Sequence, residues 1–311
     1  MASAAVTLAL ACGTPGAVSP RPAIHPFVAA EGRPTCIVLS VGGAQGLSHL
    51  GALRGIQASG LDVDCVIGNS MGALAGGLYA SDPATDPVER YRAFASAYVA
   101  RTEQEATERG ILGFLLGAGA VALTGGAAAP ALAAGVAAGG LGVATTAERD
   151  LDRTIATLDA LFESAEIEGL EVGYTTYHHV AAEGGGVELS EVSSGNLAAA
   201  IGKSIANPLL FPGFDAVASG FVDPGSDRVA AVPVQDACAR HSQARLLVLN
   251  VTDHPAFYRS DLGCPMLEVR IEVGEISREA MLGRGDDFER AIRAGEDAVR
   301  VALARVGVRA S

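Results

Sequence analysis

The sequence predicts an α/β fold built around a mainly parallel central sheet. Two observations support this prediction: buried-looking strands alternate with helical segments after residue 34, and short glycine-rich turns connect them. A strand–helix–strand–helix order with short turns is typical of parallel sheets with right-handed crossovers. The chain has 311 residues, of which 49% are hydrophobic, so it is long enough to bury a sizeable core.

The predicted elements follow each other in a regular order. The apolar run TCIVLSV (35–41) predicts a buried strand, and the helix after it ends at Gly60. The segment VDCVIGNS (63–70) predicts a second strand that leads into a helix beginning at Met71. The later predictions are helices over 87–109, 150–165, 196–205 and 285–306, a pair of strands around Gly184–Gly186, and a buried strand over 245–252.

The charge of the chain excludes some partners. Its net charge is −13 at pH 7, and both nucleic acids and anionic lipid surfaces attract basic proteins. We therefore expect no nucleic-acid partner, and any contact with a membrane surface has to be apolar or made through a covalent lipid.

The amino terminus resembles the end of a bacterial lipoprotein leader. Small residues and leucines precede Cys12, and a Gly/Pro-rich stretch follows it. This pattern predicts a leader-like segment and tether over 1–34, lipidation at Cys12, and a location in the bacterial cell envelope or outside the cell. If the segment is instead a disordered apolar terminus, a cytoplasmic location is expected.

The other four cysteines predict no metal site. Cys36, Cys65, Cys238 and Cys264 show no CxxC spacing, which zinc sites commonly use. We expect them to be buried free thiols rather than a disulfide framework.

The segment 110–147 has an unusual composition. Its 38 residues carry no charge, and 23 of them are Gly or Ala. Pro130 divides it into two stretches that each approach the length needed to cross a bilayer. The pairs Gly113/Gly117 and Gly135/Gly139 have the small-xxx-small spacing of helices that pack in lipid. The segment predicts a membrane-contacting helical hairpin; the alternatives are a hairpin lying over the soluble domain and a low-complexity insertion.

Two glycine-rich turns carry the candidate chemistry. The first, GGAQG (42–46), follows a strand and opens a helix, as a dinucleotide-binding turn does. That fold also needs an acidic residue at the end of the second strand, where this chain has Gly68-Asn69-Ser70, so no dinucleotide cofactor is expected. The second turn matches G-x-S-x-G, in which Gly68 and Gly72 let the strand and helix approach closely around Ser70.

Three separated motifs resemble those of the patatin-like phospholipase family. They are SVGGAQGLSHLGALRGI (40–56), VDCVIGNSMGALAGGLYA (63–80) and SIANPLLFPGFDAVASGFVDPGSDRVAAVPV (204–234), the last with Pro208, Phe211 and Pro212 in place. The resemblance extends discontinuously over about 35–81 and 167–235. It implies a three-layer α/β/α hydrolase domain over 35–311. Within this domain, the composition of 110–147 predicts a Gly/Ala-rich helical hairpin insertion.

The resemblance also implies a reaction. A Ser–Asp dyad of Ser70 and Asp223 would cleave lipid ester bonds of a phospholipid or lysophospholipid, without a metal or other cofactor. Backbone N–H groups of Gly42, Gly43 and Ala44 would bind the oxyanion. This chain departs from the family at Gln45, where arginine is usual, and at Pro224, where glycine normally follows the aspartate. Proline restricts Asp223 to extended conformations.

Two alternatives accompany this interpretation. A histidine could be the base, but His49, His178, His179, His241 and His254 stand in no motif and are predicted to be structural or loop residues. Asp215 and Asp227 are expected to be solvated loop carboxylates. The runner-up function is a catalytically weakened patatin-like envelope lipoprotein that acts as a membrane-associated interaction protein.

Overall fold

A seven-stranded sheet lies at the centre of the computed structural model, which describes residues 25–109, 144–182, 187–207, 219–227, 229–252 and 263–308. Its strands are β1 (Thr35–Leu39), β2 (Cys65–Gly68), β3 (Gly173–Ala181), β4 (Val187–Val192), β5 (Phe221–Val222), β6 (Arg245–Asn250) and β7 (Met266–Arg270). The α-helices are α1 (Pro26–Ala29), α2 (Ser48–Ser59), α3 (Met71–Ala80), α4 (Pro87–Arg109), α5 (Ala144–Leu161), α6 (Leu197–Ile205), α7 (Val234–Arg240) and α8 (Asp286–Val306).

The sheet is mainly parallel, as the sequence predicts. The strand order is β4-β3-β2-β1-β6-β7, with β5 also paired to β3. The β1–β2, β1–β6, β2–β3 and β6–β7 pairs are parallel, and β4 and β5 run antiparallel to β3. Because β1 and β2 are parallel neighbours, the glycine-rich turns that follow them lie side by side at the carboxyl edge of the sheet.

Apolar side chains cover both faces of the sheet. Ile37 and Leu39 of β1 join a large cluster with α2, α3, α4, α5, α6 and α8, whereas Cys36 and Val38 join a smaller cluster with α7. This alternation is that of a strand buried on both sides. The helices on the large cluster approach closely: a Cβ on Gly51 of α2 would overlap the carbonyl oxygen of Ile292 in α8.

The predicted helices and strands agree with the observed ones, with a few differences. Helix α5 begins at Ala144 rather than at 150, so the last four residues of the predicted insertion belong to this helix. Helix α7 and strands β5 and β7 were not predicted: α7 has seven residues, β5 has two, and β7 carries charges at Glu268 and Arg270. Among the described residues, no helix combines the length and the apolarity needed to cross a membrane. Cys12, residues 1–24 and residues 110–143 lie outside the described part.

The segment assigned to the tether contains some ordered structure. Within 25–34, helix α1 begins after His25 and carries Phe27, whose side chain is fully buried. The guanidinium of Arg245 lies 4.8 Å from the centre of the Phe27 ring, a cation–π contact that joins this segment to β6.

The expectation of free thiols was wrong for the four cysteines of the domain. Cys36 and Cys65 form a disulfide, and so do Cys238 and Cys264. In the first pair the cysteines face each other in register on adjacent strands, with their Cα atoms 4.5 Å apart. The sequence offered no sign of this pairing because the partners are 29 and 26 residues apart and only the sheet brings them together.

Candidate active site

Ser70 occupies a sharp turn between β2 and α3. Its backbone has φ 54° and ψ −124°, a left-handed conformation that residues with a Cβ rarely adopt. A serine held in this way between a strand and a helix is the geometry of a nucleophile elbow. Such backbone strain persists where the surrounding structure enforces it, and it is concentrated at functional sites.

Gly68 and Gly72 make this turn possible. A Cβ on Gly68 would overlap the carbonyl oxygen of Gly72, so the strand and the helix touch through their backbones. A Cβ on Gly72 would lie 2.5 Å from the carbonyl oxygen of Ser40, at the end of β1. Both positions therefore require glycine, as the G-x-S-x-G pattern predicts.

Side chains from distant segments hold the elbow in place. The Ser70 N–H donates to Oγ of Ser204 at 3.0 Å. The side chain of Asn69 donates to the Ala230 carbonyl at 2.6 Å and accepts from the Tyr177 N–H at 3.1 Å. Sequence reasoning assigned no role to Ser204 or Asn69, although both lie inside the quoted motifs.

Asp223 follows β5 and lies at the same edge of the sheet. Its N–H donates to the Ala206 carbonyl at 2.8 Å, and its Oδ1 accepts from the Gly225 N–H at 2.6 Å. The backbone is extended (φ −53°, ψ 130°), as expected before Pro224. Pro224 then begins a short 3-10 helix that Asp223 caps, so the proline and the carboxylate are compatible.

Asp223 and Ser70 lie within hydrogen-bonding range of each other. Burial raises the pKa of Asp223 to about 6, although hydrogen bonding from Ser70, Gly225 and Asn207 acts in the opposite direction. Oδ2 of Asp223 is buried and has no partner of good hydrogen-bond geometry among the described residues. Because Oδ1 already accepts from the Gly225 N–H, Oδ2 is the carboxylate oxygen that can accept the serine proton.

The glycine-rich turn after β1 packs against the elbow. It forms a 3-10 helix over Gly43–Leu47, whose first N–H groups have no acceptor within the helix. Gly43 has φ 50°, and a Cβ on Gly46 would lie 2.5 Å from Cγ of Met71, the residue after Ser70. The N–H groups of Gly42, Gly43 and Ala44 thus belong to a turn that touches the residue next to the serine.

Gln45 supports this turn from outside. Its Nε2 donates to the carbonyl oxygen of Gly274 at 3.3 Å, in the segment after β7. Gln45 therefore joins the glycine-rich turn to the segment that follows β7. Pro208, Phe211, Pro212, Asp215 and His254 lie outside the described residues.

His49, His178 and His179 have structural surroundings. His49 is fully buried, and its Nε2 lies 2.9 Å from the Ser40 carbonyl oxygen. His178 and His179 point to opposite faces of β3, yet both are buried, because both faces of the sheet are covered. Nε2 of His179 lies 3.7 Å from Asp227, whose side chain is 41% exposed, as predicted for a solvated carboxylate.

The fold and this site define a class of protein. It is an α/β protein with a serine in a strained strand-to-helix turn and a buried carboxylate close to that serine. Comparisons of the sequence with known proteins give short, highly identical matches. Over 57 residues, 18% of this chain and 4% of the relative, the chain is 44% identical to a lysophospholipase of Emericella nidulans. Over 47 residues, 15% of this chain and 4% of the relative, it is 51% identical to a patatin-like phospholipase domain-containing protein of Caenorhabditis elegans.

These sequence matches confirm the predicted resemblance to patatin-like phospholipases. They span only 4% of the length of each of these two relatives. No family model matches the chain. Among solved structures, VipD from Legionella pneumophila aligns with 88% of this chain and 67% of its own, at 12% identity and a TM-score of 0.40.

Proposed function

We propose that this protein is a serine acyl hydrolase that cleaves lipid esters, with phospholipids or lysophospholipids as substrates. The observation that carries the proposal is the strained backbone of Ser70 with the buried Asp223 carboxylate in range. The names of the sequence relatives support the substrate class, since they include lysophospholipases.

In the proposed reaction, Oγ of Ser70 attacks the ester carbonyl carbon and Asp223 accepts the hydroxyl proton. The N–H groups of Gly42, Gly43 and Ala44 bind the oxyanion that develops. Collapse of the tetrahedral intermediate expels the alcohol, which takes the proton from Asp223. A water molecule, deprotonated by Asp223, then attacks the acyl carbon. The bond to Oγ of Ser70 breaks, Oγ takes the proton back from Asp223, and the fatty acid is released.

The environment of Asp223 supports its role as the base. An aspartate with an ordinary pKa near 4 is a weak base, and a base works best when its pKa lies close to the working pH. Burial raises the pKa of Asp223 to about 6. The Gly225 N–H also fixes Oδ1, so the carboxylate keeps its orientation beside the Pro224 turn. This arrangement supports an active enzyme over a catalytically weakened interaction protein.

We also propose that the protein works at a membrane surface in an oxidising compartment. The charge-free segment 110–147 supports apolar contact with lipid, and the leader-like segment with Cys12 supports a lipid anchor. The two disulfides support export, because disulfides persist in oxidising compartments.

The hydrolase proposal is tested by release of fatty acid from a soluble short-chain ester and from lysophosphatidylcholine micelles. Wild-type protein should hydrolyse both, and Ser70→Ala should hydrolyse neither. Hydrolysis of the short-chain ester alone would keep the serine mechanism and overturn the lipid substrate. Equal hydrolysis by Ser70→Ala would overturn the mechanism.

A further inference from the structure

Three potential metal ligands meet on the sheet face that α7 covers. They are Cys36 of β1, Cys65 of β2 and His241, the C-cap residue that follows α7. The sulfur atoms and a ring nitrogen of His241 all lie within 4.8 Å of one another. Cys36 is 1% exposed and Cys65 is 7% exposed, so both sulfurs are shielded from solvent. The structure shows these sulfurs joined as a disulfide.

The imidazole of His241 gives a second, independent indication. Its Nε2 is buried and has no hydrogen-bond partner among the described residues. A buried polar nitrogen without a partner is unfavourable and uncommon in folded proteins. We propose that Cys36, Cys65 and His241 bind a zinc ion when the two cysteines are in the dithiol form.

The donor set suits zinc. Zn²⁺ binds cysteine sulfur at about 2.3 Å and histidine nitrogen at about 2.0–2.1 Å in tetrahedral geometry, which places two ligands roughly 3.6 Å apart. The three donor atoms already lie within 4.8 Å of one another, and the two sulfurs separate when the disulfide is reduced. Two thiolates neutralise the ion. The three protein ligands leave a fourth tetrahedral position, which water can occupy as it does in other zinc sites with three protein ligands.

The surroundings keep His241 available as a ligand. Metal binding needs an unoccupied ring nitrogen, and Nε2 of His241 has no hydrogen-bond partner among the described residues. The neighbouring cation, Arg240, binds other groups: it pairs with Glu191 and donates to Oγ of Ser193 at 2.9 Å.

Formation of the zinc site from the Cys36–Cys65 disulfide requires a two-electron reductant. A dithiol or phosphine donates two electrons, and two protons are taken up, to convert the Cys36–Cys65 disulfide to two thiols. Zn²⁺ then displaces both thiol protons and accepts the lone pair of His241. Disulfide formation and zinc binding use the same sulfurs, so each state excludes the other: the oxidising compartment proposed above holds the disulfide, and the zinc form belongs to reducing conditions. The missing CxxC spacing hid this cluster from sequence reasoning, because a parallel strand pair brings the two cysteines together.

The test is a cobalt titration of the full chain, with zinc competition, under a phosphine reductant. The chain carries Cys238→Ser and Cys264→Ser, so Cys36 and Cys65 are the thiols left in the folded domain; Cys12→Ser removes the remaining cysteine. We expect one equivalent of Co²⁺ to give thiolate-to-metal charge transfer in the near ultraviolet, which Zn²⁺ abolishes. His241→Ala in this background should weaken Zn²⁺ binding at least about tenfold.

The matched control is the opposite pair of substitutions, Cys36→Ser and Cys65→Ser, with Cys238 and Cys264 retained; it should give no charge-transfer band.

A second measurement needs no substitution: in reduced wild-type protein, Zn²⁺ should slow the alkylation of Cys36 and Cys65 but not of Cys238 and Cys264. Absence of the band together with unprotected thiols would overturn the proposal. So would equal zinc affinity in His241→Ala. These readouts do not depend on Ser70, so they are independent of the proposed hydrolase activity.

Discussion

The backbone N–H of Ser70 donates a 3.0 Å hydrogen bond to the buried hydroxyl of Ser204, which lies 134 residues further along the chain. Two residues after Ser204, the Ala206 carbonyl accepts the N–H of Asp223 at 2.8 Å. The end of helix α6 therefore binds the backbone of both residues of the proposed dyad. This connection explains how two residues from distant parts of the sequence are kept within range of each other.

Replacement of the proposed base should slow the reaction. Asp223→Asn keeps the shape of the side chain but removes the basic oxygen, so kcat should fall by about 10²- to 10⁴-fold. Pro224→Gly is the matched control and should retain activity, since the Gly225 N–H still orients Asp223. Steady-state kinetics on a soluble ester measure both. An unchanged kcat in Asp223→Asn would assign the base to another group.

The same residue should set the pH dependence of the reaction. A base must be deprotonated to act, and the pKa of Asp223 is raised to about 6. We expect kcat/KM to rise as the pH increases through about 6 and to level off above it. A profile that levels off near pH 4 instead would show that burial does not perturb this carboxyl group.

His49 should make the fold sensitive to acid. Burial lowers its pKa to about 4, so between about pH 6.5 and pH 4 the unfolded chain binds a proton that the folded chain does not. Stability present above pH 6.5 is lost as the pH falls through this range, by on the order of 3 kcal/mol. His49→Gln should be less stable at neutral pH, but its melting temperature should fall less steeply between pH 6.5 and pH 4. Parallel curves for the two proteins would contradict this expectation.

The contact between helices α2 and α8 should tolerate no added side chain at its closest point. A Cβ on Gly295 would overlap the Ser48 carbonyl oxygen, whereas a Cβ on Gly55 would lie 3.3 Å from the Glu296 carbonyl oxygen. Gly295→Ala should lower the free energy of unfolding by more than about 2 kcal/mol, because backbone overlap forces the helices apart. Gly55→Ala should cost much less, since alanine also favours the helix by about 1 kcal/mol. Urea denaturation of the two variants tests this difference, and equal losses would contradict it.

Much of the fold could be predicted because its signals are local. Buried strands β1, β2 and β6 each contain an uninterrupted apolar run, and the ends of α2 and α8 are marked by glycines in left-handed conformations. Elements with weak local signals were missed. Helix α7 has only seven residues, and β7 alternates apolar and charged residues on the edge of the sheet. A short helix or edge strand depends on its neighbours more than on its own sequence.

The candidate site also combines features that could be predicted from the sequence with features that could not. Ser70 and its flanking glycines could be predicted because a strained turn requires a recognisable local pattern. The hydrogen bond to Ser204 and the pairing of Cys36 with Cys65 could not, because each joins segments that only the folded chain brings together.

The proposed membrane role of 110–147 can be separated from catalysis. Helix α5 begins at Ala144, so residues 110–143 should be replaced by a short polar linker and 144–147 retained. Hydrolysis of a soluble ester should continue, while binding to phospholipid vesicles and activity on them should fall sharply. The control is an equally long linker with the original Gly/Ala-rich composition. Vesicle binding that persists in the polar variant with Cys12→Ser would contradict the membrane role.

Covalent labelling by a fluorophosphonate probe tests the central claim most directly, because the probe reacts with activated serines. Ser164 provides a matched control: it also has a positive φ, of 57°, and its hydroxyl donates to Asp159 at 3.0 Å, but it is exposed and lies outside the glycine-rich elbow. We predict that wild-type protein and Ser164→Ala are labelled once, on the peptide that contains Ser70, and that Ser70→Ala is not labelled. Labelling of folded Ser70→Ala at the wild-type rate, or no labelling of folded wild-type protein, would contradict the account.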